Sequence, residues 1–181
     1  KAADCVNDGS YDNVVYCTVC DAELSRETIT VDALGHNYVD GECSRCGIKN
    51  VSVNIADYAT SNNWENLKRY NAVQMDDVIA ISVSEGGSNN GKLVNGTEWK
   101  FYRSDKGTIT VSAAEGYEIV SITITYANSN NGVLVYNGSH IASGTELTIN
   151  SDSAEFSVGN TDSKTNGQIG FTYIEVVYAK V

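Results

Sequence analysis

Residues 118–126 read Glu-Ile-Val-Ser-Ile-Thr-Ile-Thr-Tyr, and this stretch decides the fold class. Ile122, Ile124 and Tyr126 alternate with small polar side chains. A period of two places the apolar side chains on one face of a β-strand. Residues 168–179 show the same alternation, with Ile174 and Val176 on one face. Two strands of this kind predict a sheet with one buried face and one outward face.

Outward from these strands, short β-branched and aromatic runs continue from about residue 51. They are divided by Asn-Gly, Gly-Gly and Ser-Asn clusters at intervals of about 8–12 residues, which is typical of sandwiches. Further strands are predicted at residues 78–83, 98–103, 108–112, 132–136, 146–149 and 155–158. The only predicted helical turn lies within residues 61–70. We therefore predict an all-β chain whose residues 50–181 form an antiparallel, jelly-roll-like β-sandwich.

The first 49 residues have few large aliphatic side chains and cannot build a core of their own. Strands are predicted at residues 13–16 and 27–31. All five cysteines lie in this segment, at Cys5, Cys17, Cys20, Cys43 and Cys46. Because their number is odd, a monomer cannot pair all of them in disulfides. The segment is predicted to be a small knuckle that metal or disulfides stabilise.

Two Cys-x2-Cys hooks, separated by 22 residues, suggest which stabiliser it is. Such a hook points two sulfurs at one tetrahedral site, and two hooks complete a four-cysteine zinc shell. The predicted ligands of a structural zinc are Cys17, Cys20, Cys43 and Cys46.

Two alternatives to the four-cysteine shell stay open. Cys5, Cys17, Cys20 and His36 form another legal ligand set, and disulfides with one leftover thiol are the second alternative. His36 can also be a solvated residue beside the metal shell.

A structural calcium would need oxygen ligands, although no EF-hand-like spacing is present. Its candidate ligands are Asp57, Asp76, Asp77, Asp105 and Asp162.

The cysteine segment resembles the Cys-rich repeats of large cell-surface proteins of anaerobic Gram-positive gut bacteria. The resemblance covers roughly residues 3–48. It is carried by Cys5, Cys17-Thr-Val-Cys20, Leu34-Gly-His-Asn-Tyr38 and Gly41-Glu-Cys-Ser-Arg-Cys-Gly47. It implies an extracellular or cell-surface location, a spacer or knuckle role, and membership of a larger multidomain chain.

Residues 52–181 are similar to a β-sandwich module that is appended to secreted and surface proteins of gut bacteria. The likeness is carried by Ile55-Ala-Asp-Tyr-Ala59, Trp64, Trp99-Lys-Phe-Tyr102, Gly107-Thr-Ile-Thr-Val111 and Phe156-Ser-Val-Gly-Asn160. It implies an accessory module that accompanies glycan-acting enzymes or adhesins.

Carbohydrate binding requires flat aromatic rings for the apolar faces of sugars and polar groups for their hydroxyls. The alternation of residues 98–103 puts Trp99 beside Phe101, so Trp99 can equally be a core residue. The polar neighbours of Trp64 favour exposure. The predicted carbohydrate-binding residues are Trp64, Tyr70, Asn90, Trp99, Tyr102 and Arg103.

Charge and motifs argue against several other functions. The formal net charge of -11 disfavours nucleic acid and anionic membrane surfaces as partners. No apolar run approaches the length of a membrane span. The only histidines are His36 and His140, and no hydrolase, metalloprotease or phosphate-loop motif occurs. We expect a non-catalytic extracellular module that binds polysaccharide or host glycan; the alternative is a structural spacer or protein-binding adhesin segment.

Overall fold

The chain divides into two compact units, Lys1–Gly47 and Ile48–Val181. The structure is a computed structural model that describes residues 1–84 and 86–181. The division lies two residues before the predicted boundary. Strands dominate both units, which confirms the all-β fold class.

Unit 1 consists of two antiparallel hairpins. The long hairpin pairs β1 (Gly9–Tyr16) with β2 (Glu23–Val31), with Gly9 opposite Val31 at one end. The short hairpin pairs β3 (Tyr38–Val39) with β4 (Glu42–Cys43). Asp40 and Gly41 connect these strands with φ values of 51° and 80°. Positive φ at both positions is the requirement of a tight type I′ hairpin turn, and Asp-Gly meets it at low cost.

Unit 2 contains twelve strands and one short α-helix among its described residues. In chain order these are β5 (Lys49–Asn54), α1 (Ile55–Ser61), β6 (Ala72–Gln74), β7 (Ile79–Val83), β8 (Lys92–Val94), β9 (Glu98–Tyr102), β10 (Ile109–Ala113), β11 (Tyr117–Ser129), β12 (Gly132–Tyr136), β13 (Ser139–Ile141), β14 (Glu146–Ser151), β15 (Ser153–Asn160) and β16 (Gln168–Lys180). A 3-10 turn, Arg103–Asp105, follows β9.

The strands of unit 2 form two antiparallel sheets. The first has the order β13-β12-β15-β10-β7-β6. The second contains β14, β11, β16 and β5 in that order, and β9 pairs with the beginning of β16, where Trp99 lies opposite Phe171. The long pairing of β11 with β16 places Ile122 opposite Val176, so the two strands identified first from the sequence are direct neighbours.

One hydrophobic core lies between the two sheets. Ile81, Ile109 and Phe156 enter it from the first sheet, and Ile122 and Ile174 enter it from the second. Each such side chain stabilises the fold by about 1.5–3 kcal/mol when fully buried. Contributions from both sheets to one core make unit 2 a β-sandwich.

The helix lies at a different place from the predicted helical turn. Asn54 caps α1, because its side-chain oxygen accepts the N–H groups of Ala56 (2.9 Å) and Asp57 (3.2 Å). Cap residues of this kind stabilise a helix start by about 1 kcal/mol. Residues 62–70 form turns and a single bridge instead.

Candidate metal centre and candidate ligand groove

Unit 1 gathers four side chains that can hold a metal ion. The ligand atoms of Cys5, His36, Cys43 and Cys46 all lie within 4.8 Å of one another. The sulfurs of Cys5 and Cys43 are 3.9 Å apart, and the sulfur of Cys46 lies 3.3 Å from Nδ1 of His36. Each of the five cysteines of the chain is a free thiol.

The short hairpin and its flanks position three of these ligands. The β3–β4 turn brings Cys43 back beside the segment that carries His36. The backbone N–H of Asn37 donates to the sulfur of Cys43 at 3.4 Å. Arg45 donates from one guanidinium nitrogen to the carbonyl oxygens of Leu34 (2.7 Å) and Gly35 (2.9 Å), which holds the chain just before His36.

Cys5 reaches the cluster through the N-terminal segment. The carbonyl oxygen of Asp4 accepts the N–H of Leu34 at 2.8 Å, and the carboxylate of Asp8 accepts the N–H of Ala33 at 2.8 Å. These two bonds tie the residues around Cys5 to the segment that leads to His36. Local chain pairing, rather than a hydrophobic core, therefore assembles the cluster.

The thiols of the cluster differ in acidity. Burial raises the pKa of Cys5 to about 12, and contacts with the thiols of Cys46 and Cys43 add to this effect. Burial also opposes ionisation of Cys43, but N–H groups of Arg45 and Asn37 and the imidazole of His36 lower its pKa to about 5. Several thiolates at this spacing repel one another, and a cation relieves that repulsion.

The donor set fits a tetrahedral metal ion. Zinc–sulfur bonds of about 2.3 Å at tetrahedral angles require sulfur–sulfur edges of about 3.8 Å, and a nitrogen ligand shortens its edges slightly. The observed separations of 3.9 Å and 3.3 Å match this geometry. The cluster can therefore hold a metal ion with three sulfurs and one nitrogen.

This cluster differs from the predicted ligand set in two of its four members. Cys43 and Cys46 belong to it, but Cys5 and His36 take the places predicted for Cys17 and Cys20. Cys17 and Cys20 lie in the loop that joins β1 to β2. β1 is eight residues long. At 3.4 Å a residue, this length separates the loop from the other end of the hairpin by about 24 Å. The same hairpin separates Cys17 and Cys20 from Cys5 and His36, so the alternative set of these four residues does not come together either.

Unit 2 carries an open groove of about 540 Å³ beside β15 and the beginning of β10, two interior strands of its first sheet. The end of β9, the 3-10 turn, the segment just before β10, part of β15 and the loop before β16 form its walls. Its two charged lining side chains, Arg103 and Lys106, are both cations. The lining residues are Tyr102, Arg103, Ser104, Lys106, Gly107, Thr108, Ser157, Val158 and Thr165.

Internal hydrogen bonds fix the loops around this groove. The carboxylate of Asp105 accepts the N–H groups of Asn89 (2.8 Å) and Asn90 (3.1 Å). Asp162 accepts the N–H of Lys164 at 3.0 Å, and the guanidinium of Arg103 donates to the carbonyl oxygen of Lys164. The carboxylates of Asp105 and Asp162 thus form hydrogen bonds within the loops that surround the groove.

The predicted carbohydrate-binding residues lie in three different environments. Trp99 is 0% exposed and donates its indole N–H to the carbonyl oxygens of Tyr70 (3.0 Å) and Gly91 (3.1 Å). Trp64 is half-buried and stacks on Tyr70, with ring centroids 4.1 Å apart and an interplanar angle of 3°. One face of each ring is therefore covered by the other.

Asn90 is only 2% exposed, so it is a structural amide and does not face solvent. Of the six predicted residues, Tyr102 and Arg103 alone line the groove. The groove also contains Lys106 and the hydroxyls of Thr108 and Ser157, which the sequence did not single out. Their common location follows from the adjacency of β10 and β15, which are far apart in the chain.

The aspartates considered for calcium do not form a shared site. Over the described residues, the cluster in unit 1 is the one group of three or more histidine, cysteine or acidic side chains that could hold a metal. Asp76 accepts the N–H groups of Val78 (2.8 Å) and Ile79 (2.7 Å), and the hydroxyl of Tyr178 (2.6 Å). Asp105 accepts hydrogen bonds from Asn89 and Asn90, in the segment before β8, and Asp162 accepts one from Lys164 in its own loop.

Comparison with protein-family models, with curated proteins and with solved structures finds no match to this chain. Within the part of the chain that the structure describes, no helix has the length and apolar character needed to cross a membrane.

Proposed function

We propose that unit 2 is a non-catalytic carbohydrate-binding module whose ligand lies in the groove at Tyr102 and Arg103. The groove is the observation that carries this proposal, because it combines an aromatic ring, two cations and several hydroxyls. Aromatic rings cover the apolar faces of sugars, and the polar groups bond to sugar hydroxyls. Neither histidine and no carboxylate is among the lining residues, which argues for binding without catalysis.

Acidic polysaccharides fit this groove better than neutral ones. Its charged lining residues are both cationic, although the chain as a whole carries a net charge of -11. A guanidinium can bind a sugar carboxylate or sulfate with two parallel hydrogen bonds. We therefore include uronate-containing and sulfated glycans, whether microbial, plant or host-derived, in the ligand class.

Affinity electrophoresis in gels containing polygalacturonate, sulfated glycan, mucin glycan or a neutral glucan tests the proposal. Retardation by an acidic glycan is expected, and Tyr102→Ala should lose at least about tenfold in affinity because it removes the stacking ring. Tyr173→Ala is the matched control, since Tyr173 is equally half-buried but lies outside the groove lining. Absence of retardation on every glycan, or equal retardation of Tyr102→Ala and wild type, contradicts it.

For unit 1 we propose that the cluster of Cys5, His36, Cys43 and Cys46 binds a structural zinc. The separations of its ligand atoms support this, and so does the lack of a core in this part of the sequence. The coordination free energy of zinc is large enough to fold a small unit. The metal would be held in a closed site with four protein ligands, which is typical of structural zinc.

A second candidate function is that of a spacer or protein-binding segment of an adhesin. Exposed apolar side chains on the long hairpin favour it, among them Tyr11, Val15 and Leu24. Such groups mark interaction surfaces when they cluster. Both candidate functions place the chain outside the cell or on its surface, as part of a larger multidomain protein. Binding that depends on unit 1 alone, with no glycan bound by unit 2, would favour this second function.

A further inference from the structure

One Cys-x2-Cys hook lies outside the metal cluster. Cys17 and Cys20 occupy the loop at the tip of the long hairpin, and Val19 between them is 92% exposed. These two thiols could serve as a pair of metal ligands, but neither belongs to the cluster of Cys5, His36, Cys43 and Cys46. Their backbone shows that this turn is built like the one that serves the cluster.

The two hooks share the same backbone hydrogen bond. The N–H of Asp21 donates to the carbonyl oxygen of Cys17 at 3.0 Å, and the N–H of Gly47 donates to the carbonyl oxygen of Cys43 at 2.8 Å. In each hook the residue after the second cysteine has a left-handed backbone, with φ of 55° at Asp21 and 74° at Gly47. The tip therefore has the conformation of the hook whose sulfurs point into a metal-sized site.

The hydrogen bonds to sulfur repeat as well. In both hooks the backbone N–H groups two and three residues after the first cysteine donate to its sulfur. The donors are Val19 and Cys20 at the sulfur of Cys17, and Arg45 and Cys46 at the sulfur of Cys43.

We propose that Cys17 and Cys20 are half of a second tetrahedral metal site, which the same two residues of a second copy of the chain complete around one zinc ion. Binding is a ligand exchange without redox change. Each sulfur releases its proton to solvent, displaces a water molecule from the ion and forms one bond to the metal, so four thiolates enclose one divalent cation in a site with a net charge of about -2, and about four protons are released.

Three observations favour a second copy as the source of the missing ligands. A hook supplies two ligands and a closed zinc shell needs four. The described residues of the same chain offer no further histidine, cysteine or acidic group near this hook that completes a metal-holding group. Tyr16 and Leu24 flank the loop and are 53% and 65% exposed, so two tips brought together by a metal would cover apolar surface. A twofold axis through the ion satisfies both hooks equally.

Light scattering during size-exclusion chromatography, combined with metal analysis of the eluted peak under reducing conditions, tests the inference. Zinc-loaded wild type should elute as a dimer with about 1.5 zinc ions per chain, because each chain has one cluster and shares one tip site. Cys17→Ser/Cys20→Ser should be a monomer with about one zinc per chain. This variant keeps all four cluster residues, so unit 1 retains its stabilising site, which NMR chemical shifts of residues 33–47 can verify.

A wild type that stays monomeric at any zinc content overturns the inference, and so does a dimer that persists in Cys17→Ser/Cys20→Ser. Its failure is distinguishable from failure of the zinc cluster. A wild-type dimer with about 0.5 zinc per chain supports the tip site and contradicts zinc binding by the cluster.

Discussion

Asn90 is a polar residue that the fold uses internally. Its side-chain oxygen accepts the backbone N–H of Tyr102 at 2.8 Å, and its own backbone N–H donates to Asp105 at 3.1 Å. One buried amide thus links the turn before β8 to the end of β9 and to the 3-10 turn. The position of Tyr102 at the groove depends on this link.

Asn90→Ala should lower the free energy of unfolding of unit 2 by about 1–3 kcal/mol, because the partly buried N–H of Tyr102 loses its acceptor. Urea unfolding followed by tryptophan fluorescence measures this, since both tryptophans lie in unit 2. Asn89→Ala is the matched control. Asn89 is only half-buried, and its side chain accepts from the flexible amine of Lys92. Equal losses in both variants would contradict the role assigned to Asn90.

The two tryptophans show how far single residues could be predicted. Alternation placed Trp99 on the same face as Phe101, and both are in the core. The sequence could not decide this, because the same strand end could also have been a loop mouth. The polar neighbours of Trp64 favoured exposure, but its ring is covered by Tyr70, six residues later. A stack of that kind depends on the path of residues 64–70, which no periodicity encodes.

At the scale of elements, the length of one hairpin decides which cysteines lie close enough together to share a metal ion. The spacing of the cysteines identified both hooks correctly as turns, and Gly41 and Gly47 have the positive φ expected of turn glycines. Sequence spacing cannot show which hooks meet, because that depends on the pairing of β1 with β2 over eight residue pairs. In the sequence, the Asp-Gly pair between β3 and β4 indicates a tight hairpin turn, and such a turn brings Cys43 back toward His36.

The loop before β16 should respond to pH through Asp162. Hydrogen bonds from Asn131, from the N–H of Lys164 and from Asn160 lower the pKa of Asp162 below its ordinary value of 3.8, the bond from Asn131 having the largest effect. Because the pKa of Asp162 is lower in the folded than in the unfolded state, the stabilisation of the fold by its carboxylate is fully present above the pKa of the unfolded state. It is lost as the pH falls through the folded pKa.

Asp162→Asn should therefore be less stable than wild type at pH 7, and the difference should shrink as the pH falls below about 4. Thermal unfolding at a series of pH values measures it. Asp77→Asn, a change at an exposed position between β6 and β7, is the control for loss of one negative charge. A difference between Asp162→Asn and wild type that is constant from pH 7 to pH 2.5 would contradict the assignment.

At the scale of the whole molecule, the two units are stabilised in different ways. The hydrophobic core contains residues of unit 2 only, among the described residues, whereas unit 1 has backbone pairing and the cluster that we propose to bind zinc. A strong chelator should therefore unfold unit 1 and leave unit 2 folded. Limited trypsin digestion should then cut after Arg26 and Arg45, while tryptophan fluorescence stays unchanged. Protection of both sites in the presence of chelator would contradict a metal-stabilised unit 1.

Glycan binding should depend on the local charge of the groove and not on the net charge of the chain. Lys106→Gln should weaken binding to an acidic glycan about three- to tenfold and make it less sensitive to salt, because one screened attraction is removed. Lys180→Gln removes an exposed charge at the end of β16 and should leave binding unchanged. Isothermal titration at two salt concentrations measures both variants. Identical salt dependence for wild type and Lys106→Gln would show that Lys106 does not contribute to the attraction of the ligand.

The zinc shell itself is tested most directly by X-ray absorption at the zinc edge of the zinc-loaded Cys17→Ser/Cys20→Ser variant, which keeps only the cluster. The structure predicts three sulfur neighbours at about 2.3 Å and one imidazole nitrogen at about 2.0–2.1 Å. A shell without imidazole, or with fewer than three sulfurs, would contradict the assignment of Cys5, His36, Cys43 and Cys46 as the metal ligands.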